Sequence, residues 1–184
     1  MNKIALIAGL AVAATGASAD VLLCIDLSVE NEITITATDG LSSATVSGGD
    51  GTGVLMENFF NGSGIGIFDT AGVGDLTSTG DSSDGSPGLF NSTGSLGLNF
   101  WTWTSDDPTD FVAGQVAFEG SATWSLDVDE YAAALAGNTF GDIGAFADTD
   151  DDASTIIGQW KVVPAPGSMA LLGLGGIVAG RRRR

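Results

Sequence analysis

Between residues 116 and 128 apolar and polar side chains alternate. Val116, Phe118, Gly120, Ala122, Trp124, Leu126 and Val128 take the even positions, and Ala117, Glu119, Ser121, Thr123, Ser125 and Asp127 the odd ones. A period of two predicts a long half-buried strand, bent or bulged at Gly120. The same pattern runs through Val21, Leu23, Ile25, Leu27 and Val29, set against Asp26, Ser28 and Glu30. It returns in Ile33, Ile35 and Ala37, with Glu32, Thr34, Thr36 and Thr38 opposite. Over residues 156–163 it predicts a last strand with Trp160 and Val162 inward and Gln159 and Lys161 outward. Shorter candidates are 44–47, 53–60, 64–68 and 96–104. Gly, Ser, Asp and Asn crowd the interval 72–88, which reads as loops. One helix is expected over 129–136, with Asp129 and Glu130 in its first turn and Gly137 at C′. Tyr131 and Leu135, one turn apart, would pack it on the sheet. Many short strands with turn-rich intervals and no fixed repeat predict an all-β fold, a β-sandwich or jelly-roll-like body with one short helix.

The two ends break the pattern. Lys3, an apolar stretch from Ile4 to Ala14, and Ala17-Ser18-Ala19 have the order of a secretory signal peptide with an A-x-A cleavage site. At the other end Val163-Pro164-Ala165-Pro166-Gly167 leads into an uncharged apolar run and then Arg181, Arg182, Arg183 and Arg184. Residues 165–180 are 16 in number, short of the roughly 20 of a comfortable membrane span. Snorkelling arginines and a locally thinned bilayer supply the difference. Five glycines between 167 and 180 make a poor soluble helix. The Arg cluster stays on the cytoplasmic side, which leaves the body outside. The expected organisation is therefore a signal peptide over 1–19, an ectodomain over 20–162 and a C-terminal sorting segment over 163–184.

The order Pro-x-Pro, short apolar segment, terminal Arg cluster resembles the PEP-CTERM sorting signal, whose owners also begin with a signal peptide. The resemblance is confined to residues 163–184. It implies a substrate of an exosortase, a membrane-embedded transpeptidase-like cysteine enzyme of bacteria with Gram-negative-type envelopes. Such substrates are secreted across the inner membrane, held there briefly by the C-terminus, processed at the Pro-rich motif and passed to the cell surface or extracellular polymeric matrix. The same C-terminal arrangement is also catalogued as an ice-binding-protein C-terminal domain, a label that alone does not establish ice binding. Ala165 stands between the prolines where the family usually has Glu.

Charge narrows the chemistry of the body. All 23 acidic residues lie between Asp20 and Asp152, and no Lys or Arg occurs from Asp20 to Trp160. With Lys161 as its one cation, the stretch from Asp20 to Pro166 carries −22. Nucleic acid is excluded as a partner, since phosphate contacts need Lys or Arg. The chain has no His and one Cys, which removes serine-triad, Cys-His and His-metal chemistry together with any internal disulfide. Cys24 reads as a strand residue, because Val21, Leu22 and Leu23 are too bulky for a lipoprotein cleavage site.

Three candidates remain. Asp148, Asp150 and Asp152 have the 1, 3, 5 spacing of a calcium loop, but Ala153 and Gln159 occupy the positions where an EF-hand has Gly and Glu. A looser calcium site is the candidate chemistry, a solvated loop the plainer reading, and no other cofactor is expected. Asp106, Asp107 and Asp110 read the same way. Trp101 and Trp103 fall on one face of a strand, where an aromatic pair stacks on sugar rings or, more commonly, faces the core. Paired carboxylates suit a glycosidase, yet 23 acids produce pairs by chance and nothing basic orients a substrate. Thr34, Thr36 and Thr38 form one hydroxyl row without a repeat, the solvent side of an ordinary strand. The expectation is a non-enzymatic, structural or adhesive surface or matrix protein. A carbohydrate-binding module that takes extracellular polysaccharide stands second, and a matrix glycosidase third.

Overall fold

The computed structural model describes residues 19–46, 53–62, 66–69, 72–80, 87–92, 94–101, 110–145 and 155–163. The strands are β1 (Val21–Asp26), β2 (Glu32–Ala37), β3 (Val54–Met56), β4 (Ile67–Asp69), β5 (Val73–Gly74), β6 (Thr77–Ser78), β7 (Gly88–Asn91), β8 (Leu98–Trp101), β9 (Phe118–Glu119), β10 (Ser121–Ser125), β11 (Phe140–Ala145) and β12 (Thr155–Val162), with one helix, α1 (Val128–Leu135). The fold is all-β apart from α1. Ten strands form one sheet in the order β4-β7-β8-β3-β11-β12-β1-β2-β10-β5, and β6 with β9 makes a small separate ribbon. Within the large sheet β1 and β12 run parallel, and every other neighbouring pair is antiparallel.

That sheet folds over on itself. Its two edge strands, β4 and β5, are consecutive in the chain, and the four residue steps from Asp69 to Val73 span at most about 14 Å. The edges therefore lie close together without pairing, and the ends of the strand order form two facing leaves. Phe100 of β8 and Trp124 of β10 touch across them, ring centroids 5.9 Å apart at 69°. The Trp124 indole N–H also reaches over to the Pro87 carbonyl at 3.0 Å. Ile25, Ile33, Ile35 and Trp124 from one leaf and Met56, Leu89, Leu98 and Ile143 from the other are all completely buried. Trp160 of β12 joins this core, its ring tilted 54° against Phe59 with centroids 5.2 Å apart.

The alternation read from the sequence places most inward residues correctly and fails at element ends. The stretch 116–128 is two strands, because Gly120 at φ 83° turns the chain from the ribbon into the main sheet. A Cβ at Gly120 would collide with the Asp75 carbonyl oxygen, so the break is built into the backbone. On either side of the alternating core, Val116 and Val128 are exposed while Ala117 is buried. The expected loops of 72–88 contain β5 and β6, and β7 and β11 form without an alternating pattern to announce them.

The helix starts one residue earlier than expected, on a capping box. Asp127 accepts from the Glu130 N–H at 2.8 Å, and the Glu130 carboxylate accepts from the Asp127 N–H at 2.8 Å. Tyr131 packs on the core and donates its hydroxyl to the Leu27 carbonyl at 2.7 Å. Leu135 does not pack, and Ala134 is the residue that α1 buries. Gly137 is required for a different reason from a left-handed cap: a Cβ there would sit 2.5 Å from the Phe59 carbonyl oxygen.

Candidate functional site

The direction of the strands gives the sandwich two unlike ends. Asp26 of β1, Glu32 of β2, Ser125 of β10, Phe140 of β11 and Val162 of β12 lie at one end, together with α1. Val21, Ala37, Ser121, Ala145 and Thr155 lie at the other. Because β1 and β12 are parallel, the two termini of the body leave from opposite ends. Asp20 is held at the far end, its carbonyl accepting from Gln159 N–H at 2.8 Å and its carboxylate from Leu41 N–H at 2.9 Å. The half-buried Ala19, of the expected cleavage site, adjoins it. Val163 is held at the near end by donation to the Ile25 carbonyl at 2.8 Å, and Val162 donates to the Thr139 carbonyl at 2.8 Å. The folded body therefore runs through Val163, one residue beyond the boundary expected at 162.

Of the residues singled out in the sequence, Ala17, Trp103, Asp106, Asp107, Asp148, Asp150, Asp152, Pro164, Ala165, Pro166, Arg181, Arg182, Arg183 and Arg184 lie outside the described residues. Their points of attachment do not. Residues 47–52, 81–86, 102–109 and 146–154 leave from Val46, Gly80, Trp101 and Ala145, which all belong to the far end. Val54, after the first of these segments, pairs with Ala145 and Phe100. Gly88, after the second, pairs with Trp101, and Asp110, after the third, leads into the Phe111–Val46 bridge. These four segments hold nine of the 23 acidic residues as well as Trp103. The tertiary structure thus attaches the calcium candidate and the tryptophan candidate at one end, opposite the sorting segment.

Elsewhere the groups have local explanations. Thr34 and Thr123 share a hydroxyl–hydroxyl hydrogen bond of 2.7 Å, and Thr36 and Ser121 one of 2.8 Å. The threonine row is thus satisfied by its neighbour strand. Cys24 is a free thiol on β1, between Thr36 and Lys161 in the sheet. Glu57, at the near end beyond β3, has its carboxyl pKa raised by partial burial and by the charge of Asp142. Asp142 in turn accepts from the Gln159 side-chain amide at 3.2 Å. Among the described residues no three His, Cys, Asp or Glu side chains are grouped to hold a metal ion. No helix among them is long and apolar enough to cross a membrane.

The pocket of the near end lies where the chain departs. It holds about 150 Å³ and is lined by Leu27, Ala134, Leu135, Thr139, Val162 and Val163 among others. Immediately beyond it begins the segment that the sequence marked as an address. Residues 162–184 match the family model of the PEP-CTERM protein-sorting motif. That match supports a secreted protein sorted by an exosortase, with membrane association at the C-terminus. It covers the sorting segment and leaves the sandwich unassigned. No curated protein and no solved structure matches the chain.

Proposed function

We infer that this is a surface or extracellular-matrix protein with a structural or adhesive role and no catalytic activity. The observation that carries the reading is the polarity of the sandwich. The PEP-CTERM segment leaves from one end, and four segments rich in Asp, Gly, Ser and Thr are attached at the other. A body tethered to the membrane by Val163 presents that other end outward, where a matrix partner meets it first. A chain without His, and without Lys or Arg from Asp20 to Trp160, has no basic side chain there to hold a phosphate or orient an anionic substrate, which supports a binding role. The carbohydrate-binding reading keeps one favourable observation: Trp101 ends β8 among the attachment points of these segments.

The test is co-sedimentation of the secreted protein with the producer's own extracellular polysaccharide, in millimolar calcium and in chelator. Binding abolished by Trp101→Ala with Trp103→Ala supports the carbohydrate module. Binding lost only in chelator, or with Asp148→Asn, Asp150→Asn and Asp152→Asn together, supports adhesion through a calcium-held loop. Failure to associate with cells, matrix or polysaccharide under either condition refutes both. Sorting is tested separately by deleting residues 181–184, which should leave an unprocessed precursor. Normal processing of that deletion would refute the sorting assignment.

A further inference from the structure

The sorting segment begins almost flush with the folded body, and this has a consequence for whatever processes it. Val163 is still hydrogen-bonded to Ile25, and Pro164 is the next residue. Only residues 164–167 separate Val163 from the apolar run that starts at Ser168. Fully extended, the five steps from Val163 to Ser168 reach about 18 Å. β12 cannot lend more length cheaply, since it lies between β11 and β1 in the interior of the sheet and buries Trp160. An enzyme in the membrane that takes the Pro164–Pro166 motif must therefore touch the end of the sandwich.

What it meets there includes exposed apolar side chains. Leu135, on the wall of the pocket, is 57% exposed. Val29 follows the pocket residue Ser28 and is 54% exposed, and Phe140 follows the pocket residue Thr139 and is 51% exposed. Val128, seven residues before Leu135 and so on the same side of α1, is 70% exposed. Single exposed apolar residues need no explanation. Here Leu135 lines the pocket beside Val163, while Val29 and Phe140 flank its lining residues in the chain, and Phe140 pairs with Lys161 across the sheet. Exposed apolar side chains thus gather at the end from which the sorting segment leaves. Glu30, Asp129 and Glu130 adjoin Val29 and Val128 in the chain, against the single cation Lys161 beside Phe140, and this net negative charge would repel a bare anionic bilayer. This end instead fits a protein surface with an apolar ridge and basic flanks.

Resting on the sorting reading above, we propose that the near end of the sandwich, centred on Leu135, Val29 and Phe140, is the docking surface for the membrane-embedded sorting enzyme. The enzyme then recognises the body as well as the tail. Processing of the full-length chain is followed by pulse-chase in the producing cell. Leu135→Asp with Val29→Asp should slow conversion of precursor about five- to tenfold, the loss expected of central interface side chains. Val112→Asp, at an exposed apolar site of the far end, should process at the wild-type rate. Equal protease resistance of the exported variants shows that folding is unchanged. A twelve-residue Gly-Ser spacer between Val163 and Pro164 should also slow processing, and in the spacer chain the Leu135 and Val29 substitutions should add little further loss.

Wild-type processing of the Leu135 and Val29 variant overturns the docking surface, as does faster processing of the spacer chain. A variant that is processed normally but extracts more easily from membranes shows a lipid contact and likewise overturns it. A chain that needs residues 181–184 yet ignores the near end refutes docking alone. A wild-type chain that is never processed refutes docking and the sorting reading together.

Discussion

Trp160 is the side chain on which the end of the body next to the sorting segment depends most. It is completely buried on β12, in tilted ring contact with Phe59, and its indole N–H donates to the Glu57 carbonyl at 3.2 Å. Gly141 lies directly beneath it, where a Cβ would come within 2.7 Å of the indole nitrogen, so the ring has no room to move. Replacing Trp160 with Ala removes a whole buried aromatic, a loss of about 3–5 kcal/mol. It also leaves the Glu57 carbonyl without its donor, which adds about 1 kcal/mol where water cannot reach. Trp160→Phe keeps the ring contact and loses the donor, for a cost of about 1–2 kcal/mol. Urea unfolding of the full-length chain in detergent, followed by far-ultraviolet circular dichroism, measures both. With a slope of about 2 kcal/mol per M, the Ala variant should unfold about 2–3 M earlier than wild type and the Phe variant about 0.5–1 M earlier. Leu135→Ala, at an exposed site, serves as the reference and should move the midpoint by less than about 0.3 M. An Ala variant that unfolds within that same margin would show that Trp160 does not bridge the core, and the account of β12 as a locked strand would fall.

Two further outcomes follow from groups at the same end. Glu57 has its pKa raised by burial and by Asp142, so its ionised form opposes folding. The fold is free of that penalty at pH values below the unfolded carboxyl pKa, and acquires it as pH rises through the raised value. Glu57→Gln should therefore stabilise the protein at pH 7, by less than about 1 kcal/mol because the group is largely hydrated, and make no difference near pH 3.5. Matched thermal melts at the two pH values check this, and an equal gain at both would refute the electrostatic cause. Asp127→Ala removes the capping box of α1 and should cost about 1 kcal/mol. Hydrogen exchange of the Glu130 and Tyr131 amides should rise first, and unchanged protection there would contradict the cap's role.

Much of the architecture was legible in the residues themselves. Strand sites with one face buried obey the period of two, so the pattern alone marks Leu23, Ile25, Ile33, Ile35, Ala122, Trp124 and Trp160 as inward, and all are buried. The pattern failed where a residue's surroundings come from elsewhere in the chain. Leu135 looks like a packing residue in the helix, yet α1 rests on Tyr131 and Ala134 and turns Leu135 outward. β11 was unreadable because Gly141 and Gly144 interrupt its alternation, and Gly141 is demanded by the Trp160 ring rather than by its own strand.

The candidate site divides in the same way. Local sequence was enough for the sorting segment, because a signal read by a membrane and an enzyme consists of consecutive residues: prolines, an apolar run and arginines in order. The charge of the body, its lack of cations up to Trp160 and its β character are also properties of composition and short-range pattern. Which residues share an end of the sandwich is not. The parallel pairing of β1 with β12 joins strands more than a hundred residues apart, and it sends the two termini to opposite ends. The same topology brings the attachment points of four separate segments to one end and places Leu135 beside Val163 at the other. Strand order depends on which apolar faces bury each other best over the whole chain. That choice is a sum over distant pairs, and only the folded sheet decides it.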